Sequence, residues 1–239
     1  MSATEDKPAP EVHHQHRDVT GGWLRPTVFG AMDGLVSNFA LIAGVAGADV
    51  SNHQVILVGL AGLVGGAFSM ATGEYVSVRS QNESSLAEIA VERHELAFNP
   101  VAEVEELANV YIARGVDPAL AVQVARQLSR DPDQALSIHA REELGVDPDD
   151  LPSPWTAAAS SLMSFTLGAF VPVLPYVAGG RSLWLSAILA LVALFTVGAL
   201  SSRFTSRGWW FAGSRQVILG AIAAIITYGV GHLVGANVG

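Results

Sequence analysis

The chain has 239 residues, of which 50% are hydrophobic and 15% are charged, with no cysteine and a formal net charge of −9. This composition is too apolar for an ordinary soluble domain. The lack of cysteine excludes disulfide frameworks, iron–sulfur clusters, thiolate metal sites and cysteine nucleophiles. The single lysine, Lys7, does not belong to a Gly-Lys-Ser/Thr phosphate loop. Nothing here suggests ATP hydrolysis, and we expect a chain that is not an enzyme and that binds neither nucleotide nor nucleic acid.

Five apolar stretches are each close to the roughly 20 residues that a helix needs to cross a bilayer. They predict membrane spans over residues 27–48, 53–78, 155–177, 183–200 and 217–234. The chain then divides into spans 1 and 2 at residues 25–79, an insert at 80–150 and spans 3 to 5 at 151–239. Residues 1–24 are polar and are predicted to form a disordered tail rather than a signal peptide. A histidine cluster in this tail, His13, His14 and His16, is either part of that disorder or a weak metal site.

Basic residues near the spans predict the orientation, because cytoplasmic loops retain Lys and Arg. With five spans, three groups of arginines fall on one side: Arg17 with Arg25, Arg79 with Arg93, and Arg203 with Arg207 and Arg215. We therefore expect the N-terminus and residues 80–150 to be cytoplasmic, with the C-terminus across the membrane. No organellar address is legible, so we expect a multi-pass protein of a bacterial plasma membrane rather than of a vacuole.

The insert at residues 80–150 carries 15 acidic residues against five arginines, so it accounts for the whole excess of negative charge. Turn-forming pairs divide it into four pieces of helix length. Asp117-Pro118 and Asp131-Pro132 are predicted helix starts, since Asp accepts from the free amides of the first turn and Pro lacks an amide hydrogen. The first piece is predicted to continue the second membrane helix, because nothing from residue 79 to residue 98 breaks it.

Three helices of the insert each present carboxylate or imidazole side chains about one helical turn apart on one face. The positions are Glu88, Glu92 and Glu95 on the first helix, Glu103 and Glu106 on the next, and His139 and Glu143 on the last. Stacked like charges repel, and a divalent cation offsets that repulsion, so these faces are candidates for a metal site. A solvated acidic surface is the alternative that the spacing leaves open.

The first two spans contain ionisable groups. Asp33 lies in the first and Glu74 in the second, and insertion of such a charge costs at least about 2.5 kcal/mol, so these residues usually line a polar path or have a partner. Asn38 adds a polar group to the first span. Met70 lies one turn before Glu74 on the same face and offers a thioether, although a lone Met is also typical of packing. Together the four residues are a candidate path for a cation.

Three short runs resemble the vacuolar iron transporter family: DGLVSNFA at residues 33–40, SMATGEYVSV at 69–78 and PVLPY at 172–176. The resemblance extends from about residue 23 to the C-terminus and includes the order of two spans, an acidic insert and three spans. It implies a homodimer of five-helix protomers that exchanges cytosolic ferrous iron for protons. It also implies that the first span lines the path at the dimer interface, with Asp33 and Met70 as metal-path residues and Glu74 as a nearby candidate for metal or proton.

The resemblance further implies a metal site in the insert. The family holds metal there on a Met-Met pair and a glutamate of the last helix, and on glutamates that match Glu92, Glu95, Glu103 and Glu106. Here His139 and Ala140 stand at the Met-Met positions, and the last glutamate is kept as Glu143. Glu88 is added from spacing alone. An imidazole in place of two thioethers hardens the site, so Fe²⁺ still fits, and Mn²⁺ or Zn²⁺ fits as well.

We therefore expect an all-α protein with five transmembrane helices and a cytoplasmic helical metal-binding domain inserted between helices 2 and 3. Its expected function is proton-coupled export of divalent iron, or of manganese, from the cytoplasm. A membrane protein that stores or senses metal without transport is one alternative. A membrane-anchored iron oxidase is another, although the insert lacks the Glu-x-x-His motif of di-iron bundles, because Val91 precedes His94 by three residues and Leu136 precedes His139.

Overall fold

The described part of the chain, residues 22–48, 50–204 and 206–238 of a computed structural model, folds into helices joined by short turns and contains no strand. The helices are α1 Leu24–Gly47, α2 Asn52–Phe98, α3 Pro100–Ala113, α4 Pro118–Leu128, α5 Pro132–Glu142, α6 Pro154–Val177, α7 Leu183–Ser201 and α8 Trp209–Val238, with a 3-10 turn at Ser202–Phe204. The predicted tail and its histidine cluster, His13, His14 and His16, lie outside the described residues.

Five helices are long and apolar enough to cross a membrane: α1, α2, α6, α7 with the 3-10 turn after it, and α8. This confirms the all-α class and the five predicted spans. The largest difference is at α8, which begins at Trp209, eight residues before the predicted span. Its first turn is held by aromatic packing, since the rings of Trp209 and Trp210 both lie edge-on to Phe195 of α7, at 6.0 and 5.2 Å between centroids.

Helix α2 is one unbroken helix of 47 residues, which corresponds to a length of about 70 Å at 1.5 Å per residue. It begins with a capping box: the Ser51 hydroxyl accepts from the Gln54 amide, and the Gln54 side chain accepts from the Ser51 amide at 2.9 Å. Its apolar first half is long enough for a bilayer, and the second half continues in the same direction. The predicted continuity of this helix past residue 79 is therefore confirmed.

Three short helices lie between α2 and α6, and two of them, α4 and α5, begin at the predicted Asp-Pro pairs. Asp117 accepts from the amides of Ala119 and Leu120, and Asp131 caps α5 in the same way. Helices α3 and α4 share a small core in which Leu107, Ala108, Ala121 and Ala125 are buried. Helix α5 packs against α2 through a separate core of Ile89, Leu136 and Ala140. This second core holds α5 beside the C-terminal half of α2.

Helix α1 lies at the centre of the membrane-spanning bundle and packs closely against α6 and α8. Gly34 faces the α6 backbone at Phe165 and Ala169, and Gly231 of α8 faces the backbone of Gly44. A methyl group at Gly34 or Gly231 would collide with backbone atoms of the neighbouring helix. These glycines therefore allow close contact between α1 and its two neighbours.

Helix α6 continues through Pro172 and Pro175, two residues that remove backbone donors from its last turns. Buried side chains of its neighbours donate to carbonyls in the same region. The Ser186 hydroxyl of α7 donates to the Pro172 carbonyl at 2.7 Å, and the Asn38 amide of α1 donates to the Ala169 carbonyl at 2.6 Å. These two bonds tie α6 to both neighbours at the depth of the prolines.

Candidate metal sites

Acidic side chains from α2, α3 and α5 meet around one imidazole. Glu92, Glu103 and His139 each bring a ligand atom within 4.8 Å of the other two. Glu143, one turn after His139, closes the group from the end of α5. We call Glu92, Glu103, His139 and Glu143 the carboxylate–imidazole cluster. The sequence-predicted faces of three helices therefore do converge here.

The imidazole of His139 is completely buried, with 0% of its surface exposed. Its Nδ1 atom lies 2.9 Å from a Glu143 oxygen, 3.0 Å from a Glu92 oxygen and 3.6 Å from a Glu103 oxygen. Despite these distances, neither ring nitrogen is in hydrogen-bonding geometry with any described residue, and the facing oxygens of Glu92 and Glu143 are also buried without a partner. Buried polar atoms without partners are costly, and a cation between them would satisfy them together.

The electrostatics of the cluster disfavour its fully ionised state. Burial, and then the charges of Glu106 and Glu103, raise the pKa of Glu143 to about 7. Burial is also the main reason why the pKa values of Glu92 and Glu103 are raised, with neighbouring carboxylates adding to it. A divalent cation would favour the ionised form of all three carboxylates. The donor set of one nitrogen and up to three carboxylates suits Fe²⁺, Mn²⁺ and Zn²⁺.

The other predicted ligands of the insert lie around the cluster. Glu106 is exposed, close enough for its charge to raise the pKa of Glu143 and of Glu92. Glu95 accepts from the Asn99 side chain at 2.6 Å, beside the end of α2. Glu88 is exposed one turn before Glu92. None of these three belongs to the group whose ligand atoms meet within 4.8 Å in the described chain.

Two arginines close to the end of α5 are paired with acids outside the cluster. Arg114 forms an ion pair with Glu142, and Arg141 donates to Asp147 at 2.9 Å. Both arginines are about half exposed. Neither of them is paired with a carboxylate of the cluster.

A second polar site lies within the membrane-spanning bundle, between α1 and α2. It is a cavity of about 260 Å³ whose lining residues are Asp33, Ser37, Asn38, Leu41, Gly62, Gly66, Ser69, Met70 and Phe165. Three of the four predicted path residues, Asp33, Asn38 and Met70, therefore share one cavity. Glu74 is partly buried one turn beyond Met70 and is not among the lining residues.

Asn38 has both a packing contact and a free acceptor in this cavity. It is only 2% exposed, and its amide nitrogen donates to the Ala169 carbonyl of α6. Its Oδ1 atom has no partner in the described chain. The cavity thus offers a carboxylate, an amide oxygen and a thioether, a mixed donor set that accepts a partly dehydrated divalent cation.

Sequence reasoning missed two kinds of cavity residue. Ser37 and Ser69 carry hydroxyls at helical spacing near Asp33 and Met70, a signal that was available, and the Ser37 hydroxyl donates to the Asp33 carbonyl at 2.5 Å. Phe165 has no such signal. Its buried ring closes the α6 side of the cavity against Gly66, a contact that only the tertiary packing creates.

With five spanning helices and an intramembrane polar cavity, the chain belongs to the class of multi-pass helical membrane proteins. The VIT family model matches residues 24–232, which is most of the chain. The chain therefore belongs to the VIT family, and the resemblance seen in its sequence is confirmed.

Several relatives carry the name of the same kind of protein. The vacuolar iron transporter of Acanthamoeba castellanii is 40% identical over 222 residues, covering 90% of this chain and 79% of the relative. Vacuolar iron transporter 1 of Oryza sativa subsp. japonica is 31% identical over 235 residues, covering 96% and 93%. The protein of the same name from Arabidopsis thaliana is 29% identical over 220 residues, covering 90% and 88%. These relatives are named as transporters, so the chain is not an enzyme.

Proposed function

We propose that this protein moves divalent iron across a membrane in exchange for protons, collecting the ion at the carboxylate–imidazole cluster and passing it through the intramembrane cavity. The observation that carries the proposal is the buried, unpartnered Nδ1 atom of His139 among three carboxylates. The names of the relatives, vacuolar iron transporters, indicate iron as the substrate. Manganese and zinc are the other ions that the donor set admits.

The two sites lie on one helix, which supports a shared path. Met70 lines the cavity and Glu92 belongs to the cluster, and both are on α2. Their separation of 22 positions corresponds to about 33 Å along the helix axis. Glu74 lies between them, one turn from Met70 on the side of the cluster. We assign it to the entrance of the cavity, where it takes up the ion or a returning proton.

Within the cavity the ion exchanges water ligands for protein ligands. Asp33 supplies charge, the free Oδ1 atom of Asn38 supplies a neutral oxygen, and Met70 supplies a soft sulfur. Asp33 is the one carboxylate among the residues that line the cavity, and a carboxylate can hold either a metal ion or a proton. Alternate occupation of Asp33 by a metal ion and by protons is therefore the basis of the exchange that we propose.

The arginine pattern supports a direction. Its groups lie beside the ends of the spans that adjoin the cluster, so the cluster side is assigned to the cytoplasm and transport to export. On this assignment the cluster collects ions from the cytoplasm, and the C-terminus lies across the membrane.

An exposed seam of small residues supports a homodimer. On α2 the residues Ala61, Gly65, Ser69, Gly73 and Ser77 recur every four positions, and all are exposed in the protomer. On α1 the neighbouring stripe of Phe29, Ser37 and Leu41 is exposed as well, with Asp33 partly exposed within it. A second copy placed on this seam would cover the open side of the cavity and bring two Asp33 carboxylates into one path.

Reconstitution into liposomes tests the function. Vesicles with an internal fluorescent chelator are given Fe²⁺ under reducing conditions, with and without a pH gradient. We expect metal flux that accelerates with the gradient, no flux with Asp33→Asn, and wild-type flux with the exposed control Asp133→Asn. Metal binding by wild type without flux in either condition would overturn transport and assign storage or sensing instead. Oxygen consumption with Fe²⁺ would indicate the oxidase alternative.

A further inference from the structure

Helices α7 and α8 border a groove at the end of the bundle that is remote from the carboxylate–imidazole cluster. Near the start of α8 they touch, because Gly198 of α7 lies against the backbone of Ala212 and Gly213. Farther along, Gly220 still packs on the Leu194 side chain. One to two turns farther, a groove lies between Leu183, Trp184 and Ala187 of α7 and Ala224, Ile225 and Tyr228 of α8.

The groove is apolar and opens between α7 and α8. Its cavity has a volume of about 330 Å³. Phe39 and Ala43 of α1 form its floor, Leu183 and Ala187 line the α7 side, and Ala224 and Ile225 line the α8 side. In a bilayer such a groove faces acyl chains, and an unfilled void would forfeit the dispersion contacts of its lining. A hydrocarbon chain is therefore the chemical match for this volume.

The groove leads into a polar pocket at the membrane surface. This second cavity, of about 660 Å³, shares Leu183, Trp184 and Tyr228 with the groove. It also contains Arg181 and His53, and no acidic side chain among the described residues lines it. A guanidinium donates to phosphate oxygens in a fixed fork geometry. The polar end thus suits a phosphate group.

The aromatic residues at the junction fix the depth of the polar pocket. Trp184 is 80% exposed and Tyr228 is 43% exposed, and both line the two cavities at once. Trp and Tyr concentrate at the level of lipid headgroups. The boundary between groove and pocket therefore coincides with the boundary between acyl chains and headgroups.

We propose that this protein binds one anionic phospholipid, with an acyl chain in the groove between α7 and α8 and the phosphate on Arg181. Arg181 is the only Arg, Lys, Asp or Glu among the described residues 44–48, 50–58, 174–188 and 226–238, which form this end of the bundle. Asp49 lies outside the described residues. The lipid acts as a wedge that completes the packing of α7, α8 and α1.

The lipid site is separate from the metal path. On α1 its floor residue Phe39 and the cavity residue Leu41 are two positions apart, so they point about 160° away from each other. The groove therefore opens on the opposite side of α1 from the small-residue seam, where a second copy would sit. A lone arginine at its mouth also makes the polar pocket unsuitable for a divalent cation.

Native mass spectrometry on full-length protein, extracted from vesicles of equal phosphatidylglycerol and phosphatidylcholine, tests this proposal. We expect one phosphatidylglycerol adduct per protomer in the wild type. Arg181→Gln should reduce its occupancy about tenfold relative to wild type, the equivalent of about 1.4 kcal/mol. Arg181→Lys should restore part of the adduct. The control Arg203→Gln, at the opposite end of α7, should leave it unchanged.

A second variant tests the groove independently of the charge. Ala187 is partly exposed and lines the groove, so the larger side chain of Ala187→Phe takes up space in the groove. We expect loss of the adduct while the elution volume of the purified protein stays that of wild type. Equal adducts of both lipids in the wild type, or adducts that persist in both Arg181→Gln and Ala187→Phe, would overturn the proposal and indicate ordinary surrounding lipid.

Discussion

The Nδ1 atom of His139 lies 3.0 Å from a carboxylate oxygen of Glu92, and neither atom is in hydrogen-bonding geometry with the other or with any other described residue. The two side chains come from α5 and α2, which are held together by the core of Ile89, Leu136 and Ala140. Ala140 is completely buried, and its small side chain allows α5 to approach α2 closely. The packing thus holds a nitrogen and an oxygen donor beside each other, as ligands of one ion require.

Replacement of His139 should change which metal the cluster prefers. Imidazole favours Zn²⁺ and Fe²⁺ over Mn²⁺ more strongly than carboxylates alone do. With His139→Met we expect affinity for Zn²⁺ to fall by about tenfold or more and affinity for Mn²⁺ to fall less. Competition binding on the full-length protein measures both. His94→Met, at an exposed position of α2, is the matched control. An unchanged order of affinities in His139→Met would contradict the role of the imidazole.

Two glutamates of α3 allow the contribution of a metal ligand to be distinguished from that of surface charge. Glu103 is 6% exposed within the cluster, whereas Glu105, two positions later, is exposed. Each substitution by glutamine removes one negative charge from this helix. We expect Glu103→Gln to weaken metal binding by about ten- to a hundredfold and Glu105→Gln to change it little. Isothermal titration of the purified protein checks this. Equal effects of the two variants would favour a diffuse acidic surface.

The metal-free protein should become less stable as pH rises, because Glu143 loses its proton. Its folded-state pKa of about 7 lies above its ordinary value of 4.5, so the folded state binds the proton more tightly than the unfolded state does. The stabilisation is complete below about pH 4.5 and is lost as pH rises through 7. Glu92 and Glu103 shift in the same direction.

Thermal unfolding in the presence of a chelator, at pH 5.5 and at pH 7.5, measures this dependence. We expect the lower midpoint at pH 7.5 and a smaller difference in Glu143→Gln. Added Fe²⁺ or Mn²⁺ should raise the midpoint at pH 7.5, because a cation favours the ionised carboxylates. A metal-free midpoint that increases from pH 5.5 to pH 7.5 would show that the cluster is not as strained as its burial indicates.

A methyl group at Gly34 should loosen the membrane-spanning bundle. The added carbon would meet the Phe165 carbonyl and the Ala169 amide, both backbone atoms that cannot move aside. Overpacking of this kind costs about 1–3 kcal/mol. Gly229→Ala on α8 is the matched control, since nothing lies within 4 Å of the new carbon there. Thermal stability in detergent should fall only for Gly34→Ala. Equal stability of the two variants would contradict the close α1–α6 contact.

The sequence predicted those parts of the fold that depend on local sequence alone. Spans follow from apolar length, and the starts of α4 and α5 follow from Asp-Pro pairs whose side chains do cap those helices. The continuity of α2 follows from the absence of Pro and Gly between Gly73 and Phe98. The early start of α8 was not predicted, because it depends on contacts of Trp209 and Trp210 with another helix.

The candidate sites divide in the same way. Spacing and family resemblance together indicate Glu92, Glu103 and His139, but spacing alone does not distinguish them from Glu88. What distinguishes them is the position of α5, which covers one part of the acidic face of α2 and leaves Glu88 exposed. The cavity around Asp33 depends likewise on Phe165, whose position is set by the packing of α6 on α1 and α2.

Variants of two buried polar residues should distinguish a role in helix packing from a role in metal transport. Asn38 and Ser186 each donate to a carbonyl of α6, but only Asn38 also lines the intramembrane cavity. Loss of either bond should lower stability by a similar amount, about 0.6 kcal/mol on average for interhelical bonds in membrane proteins. Asn38→Leu also removes the free Oδ1 atom, so we expect it to reduce metal flux strongly, whereas Ser186→Ala keeps most of the flux. Flux in liposomes, normalised to folded protein, compares them. If both variants transport alike, Asn38 serves helix packing only, and the ion path depends on Asp33 and Met70.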